Sequence, residues 1–386
     1  MSTLLTSTCA MIPVARPYIG VEEEQGVLDV LRSGWVTQGP RVAEFEEKFA
    51  AYIGCEFAVA VSSCTTALQL ALLACGVGPG DEVICPSFSF IATANSIAYV
   101  GAKPVFADID LATYNVNPTH VEALISSRTK AILVVHQIGL PADMRAFQYI
   151  AAKFGLKLIE DAACAIGAKY EGELIGKPLG DLACFSFHPR KIMTTGEGGM
   201  ITTRDAHLAE RLRRLRQHAM SLSDVVRHSA KQIVTETYDE VGFNFRMTDM
   251  QAAVGIAQLG RLDRLLDRRR LLAQRYTKAL DQLSWLITPH VPPYCCHNYQ
   301  SYMVRLVGDA AGKRDEIMQQ LLERNISTRR AIMATHRELP YRSAGGDDSL
   351  PQTCLTAATG IILPLFYQMA DSDHNYVIDS LHEIHI

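Results

Sequence analysis

The chain has 386 residues, too many for one ordinary hydrophobic core, and this length predicts two domains. Hydrophobic residues make up 48% and charged residues 20%, as in globular proteins, and a formal net charge of −4 leaves no basic excess for gripping nucleic-acid phosphates. No apolar run approaches the ~20 residues of a membrane span, and no charged stretch at the start leads into a long apolar one, so neither a span nor a secretory signal is expected.

Ten cysteines stand at 9, 55, 64, 75, 85, 164, 184, 295, 296 and 354, with no C-x-x-C pair among them. Most lie in apolar segments, as small core residues do. The pattern is neither a disulfide framework nor a zinc site, so no metal is expected and a reducing, cytoplasmic setting fits.

In chain order, strand-like and helix-like pieces alternate from residue 57 onward. FAVAVS (57–62) reads as a strand and ALQLALLAC (67–75) as a helix. A strand at 82–85 leads to a helix at 91–100, and strands follow at 104–108 and 131–135. A helix at 142–154 precedes LKLIE (156–160), and two more strands follow at 183–187 and 199–203. Continuously apolar strands between helices predict a mostly parallel α/β sheet with helices on both faces. Helical pattern dominates 206–216 and 250–280, with the run Arg268-Arg269-Arg270 read as a solvated helix face, and 220–240 reads as a polar loop. A strand at 302–307, a helix at 314–324 and a last helix at 373–381 suggest a smaller α+β unit. The expected division is 1–260 and 261–386.

Four features carry chemistry. In VSSCTTAL (61–68) a strand runs into small hydroxyl residues at a helix start, where free N–H groups and the helix dipole favour an anion. In LIEDAA (158–163) a buried-type strand ends in Glu160 and Asp161, and ligand groups gather at the carboxyl ends of such strands. PSFSF (86–90) places Phe88 and Phe90 after another strand. FSFHPRKIMTTGEGG (185–199) sets a single lysine, Lys191, beyond a strand and before a Gly-rich turn. An imine-forming lysine must be partly neutral, and wants a sheltered pocket with positive charge nearby. Each feature alone has a plainer reading: a helix cap, a second cap, core packing, a surface lysine. Together they supply an anion cradle, a carboxylate for a ring nitrogen, a ring face and an amine, which pyridoxal phosphate needs.

At these motifs, and at SGWVTQGPRVAEFEEKFA (33–50), GDEVICPSFSFIATANSI (80–97), GAKPVFADID (101–110) and GFNFRMTDMQAAVG (242–255), the chain resembles the DegT/DnrJ/EryC1/StrS sugar aminotransferases. The resemblance covers nearly the whole chain. It implies the pyridoxal-phosphate enzyme architecture of fold type I, with a smaller C-terminal α+β domain. It also implies that Lys191 bonds the cofactor and moves the proton, that Asp161 keeps the pyridine nitrogen protonated, and that Phe90 stacks while Phe88 packs. Thr65, Thr66 and Ser186 would hold the phosphate, and Asn244 would reach the phosphate of a second copy in a homodimer. Two positions depart from the pattern. Cys164 stands where the family often has Gln or His beside the cofactor's phenolic oxygen, and Cys64 replaces the usual glycine of the phosphate turn, which would demand a turn without positive φ. His188, Arg190, Arg246 and the His336-Arg337 region are candidates for substrate contacts by charge or place, His188 equally for a structural role.

The implied activity is transfer of an amino group, from L-glutamate as the expected donor, to a C4 or C3 keto group of a nucleotide-linked deoxysugar. A family branch with histidine in place of the lysine is a dehydratase, and Lys191 argues for transamination. The alternatives are an aminotransferase for a free cyclitol or ketose and a non-catalytic regulator that keeps the cofactor site.

Overall fold

A computed structural model describes residues 11–221, 233, 235–342 and 349–386. Two helices open the described chain, α1 (Val21–Ser33) and α2 (Pro40–Ile53). The alternation read from the sequence then follows: β1 (Phe57–Val61), α3 (Cys64–Ala74), β2 (Glu82–Pro86), α4 (Ala92–Tyr99), β3 (Lys103–Ala107), α5 (Pro118–Ala123), β4 (Thr129–Val135), α6 (Met144–Phe154), β5 (Lys157–Asp161), β6 (Leu182–Ser186), β7 (Gly199–Thr203) and α7 (Ala206–Leu215). The seven strands form one sheet in the order β1-β7-β6-β5-β4-β2-β3. Only β7 runs against its neighbours, pairing antiparallel with both β1 and β6.

The sheet is buried on both faces, which is why its strands lack alternation. Ala58, Ala60, Ile132, Val134, Leu158 and Phe185 face one core, with Phe45 and Phe49 of α2. Val59, Val61, Ala131, Leu133, Ile159 and Cys184 face the other, with Leu68 and Leu72 of α3.

The helical stretch expected over 250–280 is two helices, α8 (Asp249–Gly260) and α9 (Leu262–Leu280). Arg261 breaks them apart with φ −113° and ψ 2°. The expected domain boundary coincides with this break, but the packing crosses it. Leu262, Leu265 and Leu266 belong to the core of the large sheet, and Leu272, Tyr276 and Leu280 to a third core. That third core is covered by a four-stranded antiparallel sheet of β8 (Leu286–Ile287), β9 (Tyr302–Leu306), β10 (Arg329–Arg330) and β11 (Gly360–Leu363), in the order β8-β9-β11-β10, with helices α10 (Arg314–Glu323), α11 (Pro351–Thr359) and α12 (Asp371–His382). Ile12 from the chain's beginning joins it, bonded to Asn325 and Ser327.

The arginine run on α9 is not a solvated face. Arg268 pairs with Asp371, the buried Arg269 donates to the carbonyls of Tyr299 and Gln300, and Arg270 donates to the carbonyl of Gly167. Burial pushes Arg269 down to about 10, an expense met by those two carbonyls. The nine cysteines among the described residues are all free thiols. Most of the loop expected at 220–240 lies outside the described residues. No helix among the described residues is long and apolar enough to cross a membrane.

Candidate active site

β1, β2, β5 and β6 end at the same edge of the sheet, and β7 begins there because it runs the other way. That edge gathers the motif residues.

After β1, Ser63 caps α3. Its hydroxyl accepts from Thr66 N–H at 3.1 Å, and the Thr66 hydroxyl accepts from Ser63 N–H at 3.1 Å. The reciprocal box points the first N–H groups of α3 outward, where they have no intrahelical partner. The Thr66 hydroxyl is thus occupied by the cap, while that of Thr65 has no protein partner among the described residues. Cys64 is the first helical residue, and its φ is not positive, so the missing glycine costs no backbone strain. The close approach occurs at Gly199, where an added Cβ would lie 2.5 Å from the Ser63 carbonyl group and 2.8 Å from Cys64 N. Ser186, at the end of β6, is half-buried beside this turn, and its hydroxyl accepts from His188 N–H at 3.4 Å.

Glu160 and Asp161 close β5. Glu160 accepts from Leu179 N–H at 2.9 Å and Gly180 N–H at 2.8 Å, and pairs with the buried His136 at 3.1 Å. Since His136 Nδ1 accepts from Ala142 N–H, its Nε2 carries the proton donated to Glu160. Asp161 has fewer partners, the Thr93 hydroxyl at 3.0 Å and Ala163 N–H at 3.1 Å. Burial raises the Asp161 carboxyl above its ordinary range, against the pull of those two donors, Lys191 and His136. A buried carboxylate in this state favours a cation against it.

Lys191 follows in the loop between β6 and β7. Its Nζ donates to Cys164 Sγ at 3.1 Å, and its own N–H bonds the His188 carbonyl at 2.8 Å. The pocket is sheltered as expected, and the largest charge effects on the amine come from groups that favour its charged form. Burial disfavours its charge, yet Cys164, Cys64 and Asp161 outweigh burial and raise it above the usual lysine value.

Phe90 is 68% exposed whereas Phe88 is fully buried with Ile138, Met303 and Ile362, so only Phe90 presents a ring to a ligand. In the GFNFR segment Phe243 and Phe245 stack at 4.8 Å, and Phe245 accepts from Ser62 N–H at 2.8 Å, which brings the segment beside the phosphate turn. Asn244 is exposed and Arg246 half-buried, and neither side chain has a protein partner among the described residues. Arg190 is exposed. His188 accepts from Arg190 N–H, and burial holds its imidazole below its usual value, with Arg190, Lys191 and Arg329 pushing the same way and Glu197 opposing. His336 stands apart at the sheet edge. Ser87 Oγ meets its Nδ1 at 2.5 Å and Cys354 Sγ its Nε2 at 3.6 Å, and it lines a cavity of about 540 Å³ with Lys103, Phe106 and Tyr341. Both ring nitrogens have partners within the chain.

The residues fit pyridoxal phosphate: a helix start with a spare hydroxyl for the phosphate, a buried carboxyl group with no direct ion pair among the described residues, an exposed ring, and a sheltered amine. Among the described residues no His, Cys, Asp and Glu cluster is placed to hold a metal. Sequence reading missed the supports. Thr93 orients Asp161. The buried Asn298 donates to the carbonyls of Cys164 at 2.7 Å and Ile166 at 2.8 Å, and Gln300 donates to the Arg190 carbonyl at 3.0 Å. The polar run HNYQS at 297–301, set before an apolar strand, was the available signal.

A model of the DegT/DnrJ/EryC1/StrS aminotransferase family matches residues 17–382. The chain belongs to this family. Its members are pyridoxal-phosphate-dependent sugar aminotransferases, and so the protein is an enzyme of that class. It is 41% identical over 377 residues to the spore coat polysaccharide biosynthesis protein SpsC of Bacillus subtilis, covering 97% of each chain. Among solved structures it resembles the aminotransferase TlmJ of Streptoalloteichus hindustanus, with a TM-score of 0.88, 37% identity, and coverage of 96% of this chain and 98% of that one. The pyridoxal-phosphate form of Spr1654 from Streptococcus pneumoniae aligns with a TM-score of 0.89 at 28% identity, over 96% of this chain and 97% of that one.

Proposed function

We propose that the enzyme moves an amino group from L-glutamate to the C4 or C3 keto group of a nucleotide-linked deoxysugar, in a homodimer that shares its two sites. The observation that carries the reading is the convergence of Lys191, Asp161 and the start of α3 at one sheet edge. The likeness to a protein of spore coat polysaccharide biosynthesis supports a sugar as the acceptor.

When bound, pyridoxal phosphate supplies an aldehyde that takes up the donor's nitrogen and a ring that accepts electrons from Cα. Thr65, Ser186 and the first N–H groups of α3 hold its phosphate, with the Thr66 hydroxyl fixing the turn. Asp161 keeps a proton on the ring nitrogen, since a cation there completes the buried carboxylate. Phe90 would cover one ring face, and Cys164 would meet the phenolic oxygen. Lys191 Nζ would take the proton from Cα of the donor and deliver it to the former aldehyde carbon, on the far side of the transferred nitrogen, and would repeat this in reverse for the sugar. Asn244 of a second copy reaches the phosphate. Arg190, Arg246 and His188 would meet the anionic groups of donor and sugar nucleotide.

The experiment adds glutamate alone to the loaded protein and follows the cofactor's absorbance, then adds a panel of keto-sugar nucleotides. Glutamate should bleach the band, and one class of sugar nucleotide should restore it. A band unmoved by glutamate would favour a non-catalytic regulator, and restoration by a free ketose would move the acceptor to that class. Borohydride treatment of the loaded protein should fix the cofactor on the Lys191 peptide. Fixation elsewhere would sink the assignment.

A further inference from the structure

Cys164 is more than a poor substitute for a hydrogen-bonding side chain. Its sulfur is the acceptor for the Lys191 amine, at 3.1 Å, inside a sheltered pocket. Its main chain is pinned, since Asn298 donates to the Cys164 carbonyl at 2.7 Å and Gly139 packs on the same carbonyl so closely that a Cβ there would lie 2.9 Å away. The backbone from which the sulfur projects toward the amine is therefore fixed. Unlike the neighbouring Cys64 and Cys184, which are buried and whose thiols burial pushes well above the ordinary range, Cys164 is half-buried.

We infer that Cys164 and Lys191 form an oxidant-sensitive pair in which hydrogen peroxide closes a sulfur–nitrogen bond between the two side chains. In the first step the sulfur attacks one peroxide oxygen and the O–O bond breaks. The thiol becomes a sulfenic acid, and the second oxygen leaves as water with the thiol's proton. Sulfur is oxidised by two electrons and peroxide reduced by two. In the second step Lys191 first gives up its ammonium proton to solvent, the lone pair of the neutral amine attacks that sulfur, the S–O bond breaks, and the hydroxyl leaves as water with one of the two remaining amine protons. No electrons change hands in this step. Two equivalents of an external thiol reverse the product, restoring thiol and amine and forming one external disulfide. The consequence for activity rests on Lys191 being the cofactor's lysine, as proposed above, whereas the bond itself does not. A loaded enzyme, whose amine is engaged, is protected, so the closure belongs to the cofactor-free protein.

The full-length protein, stripped of cofactor and in parallel loaded with it, is treated with peroxide and its intact mass is read. The stripped protein should lose two hydrogens, proteolysis should yield the peptides of Cys164 and Lys191 joined, and pyridoxal phosphate added afterwards should give no cofactor band. Dithiothreitol should reverse all three. Lys191→Arg should stop at a gain of oxygen on Cys164. Cys164→Ser should show no joined peptide, and its cofactor uptake, whatever its level before treatment, should not fall on exposure to peroxide. Gain of oxygen without closure in the unmodified sequence, or equal loss of uptake in Cys164→Ser, overturns the pair. If borohydride were to tag another lysine while the joined peptide still formed, the proposed lysine assignment would fall and this inference would stand.

Discussion

Glu160 points to one face of the sheet and Asp161 to the other, because successive strand residues alternate. Glu160 meets two N–H groups and a histidine donor, and its charge is matched within the protein. Asp161 meets a hydroxyl and one N–H, and burial raises it. A carboxyl raised by burial stabilises the fold in its protonated form and burdens it once ionised, so stability contributed by Asp161 is present at low pH and lost as pH rises through its folded value. Asp161→Asn removes that burden. The cofactor-free variant should melt higher than the parent at neutral pH, and the gap should close as pH falls toward the ordinary Asp value of about 3.9. The same variant should bind pyridoxal phosphate at least about tenfold more weakly, the ~1.5–3 kcal/mol of a hydrogen bond to a charged group. Thermal melting across pH, with and without cofactor, reads both, and a variant that melts lower at neutral pH while binding normally would refute the account. The strand-end acid was legible because apolar LI leads straight into ED. What fixes Asp161 was not, since Thr93 lies 68 positions away in sequence and meets it only through the fold.

At the scale of elements, α3 turns sequence into an anion site. Ser63 and Thr66 are spaced for a reciprocal cap, and this was legible as a run of hydroxyl residues after an apolar strand. The cap also needs room behind it. Gly199 starts β7, pairs with Val61, and gives the turn its clearance. Gly199→Ala should force the start of α3 outward, at an overpacking cost of about 1–3 kcal/mol. Melting temperature should fall and cofactor affinity should fall with it, whereas Gly196→Ala, where nothing lies within 4 Å but φ is +82°, should cost stability with little change in affinity. Equal losses of affinity in both would argue against a role for this clearance. Helix limits were the least legible feature. The pattern over 250–280 runs on in apolar period, and the residue at the break, Arg261, reaches back to Glu22 at 2.7 Å and Glu23 at 3.2 Å on α1, a tertiary contact no local pattern encodes. Helix α2 did carry signals, Pro40 in its first turn and Gly54 in a left-handed cap at its end.

At the scale of the molecule, the two sheets are joined rather than merely linked. Phe88 and Ile138 from the large sheet's loops share a cluster with Met303 of β9 and Ile362 of β11, and α9 lends residues to both sides. The loop at 297–301 lies on this seam and holds both Cys164 and Arg190, so the smaller sheet steadies the cofactor edge of the larger one. One candidate residue is not explained within a single chain. Asn244 is exposed, with no protein partner for its side chain among the described residues, although its neighbours anchor the phosphate turn. A symmetric pair resolves this if each copy lends Asn244 to the other's site, since a two-fold interface places the same residues on both sides. Lys191→Ala and Asn244→Ala should then each abolish or cripple activity alone. Mixed and reassociated, they should regain about one quarter of the parent activity, because half of random pairs are hybrid and each hybrid carries one site with both residues intact. If Asn244 instead served the lysine of its own chain, every site in the mixture would lack one of the two, and the activity of the mixture would stay at the level of the separate variants.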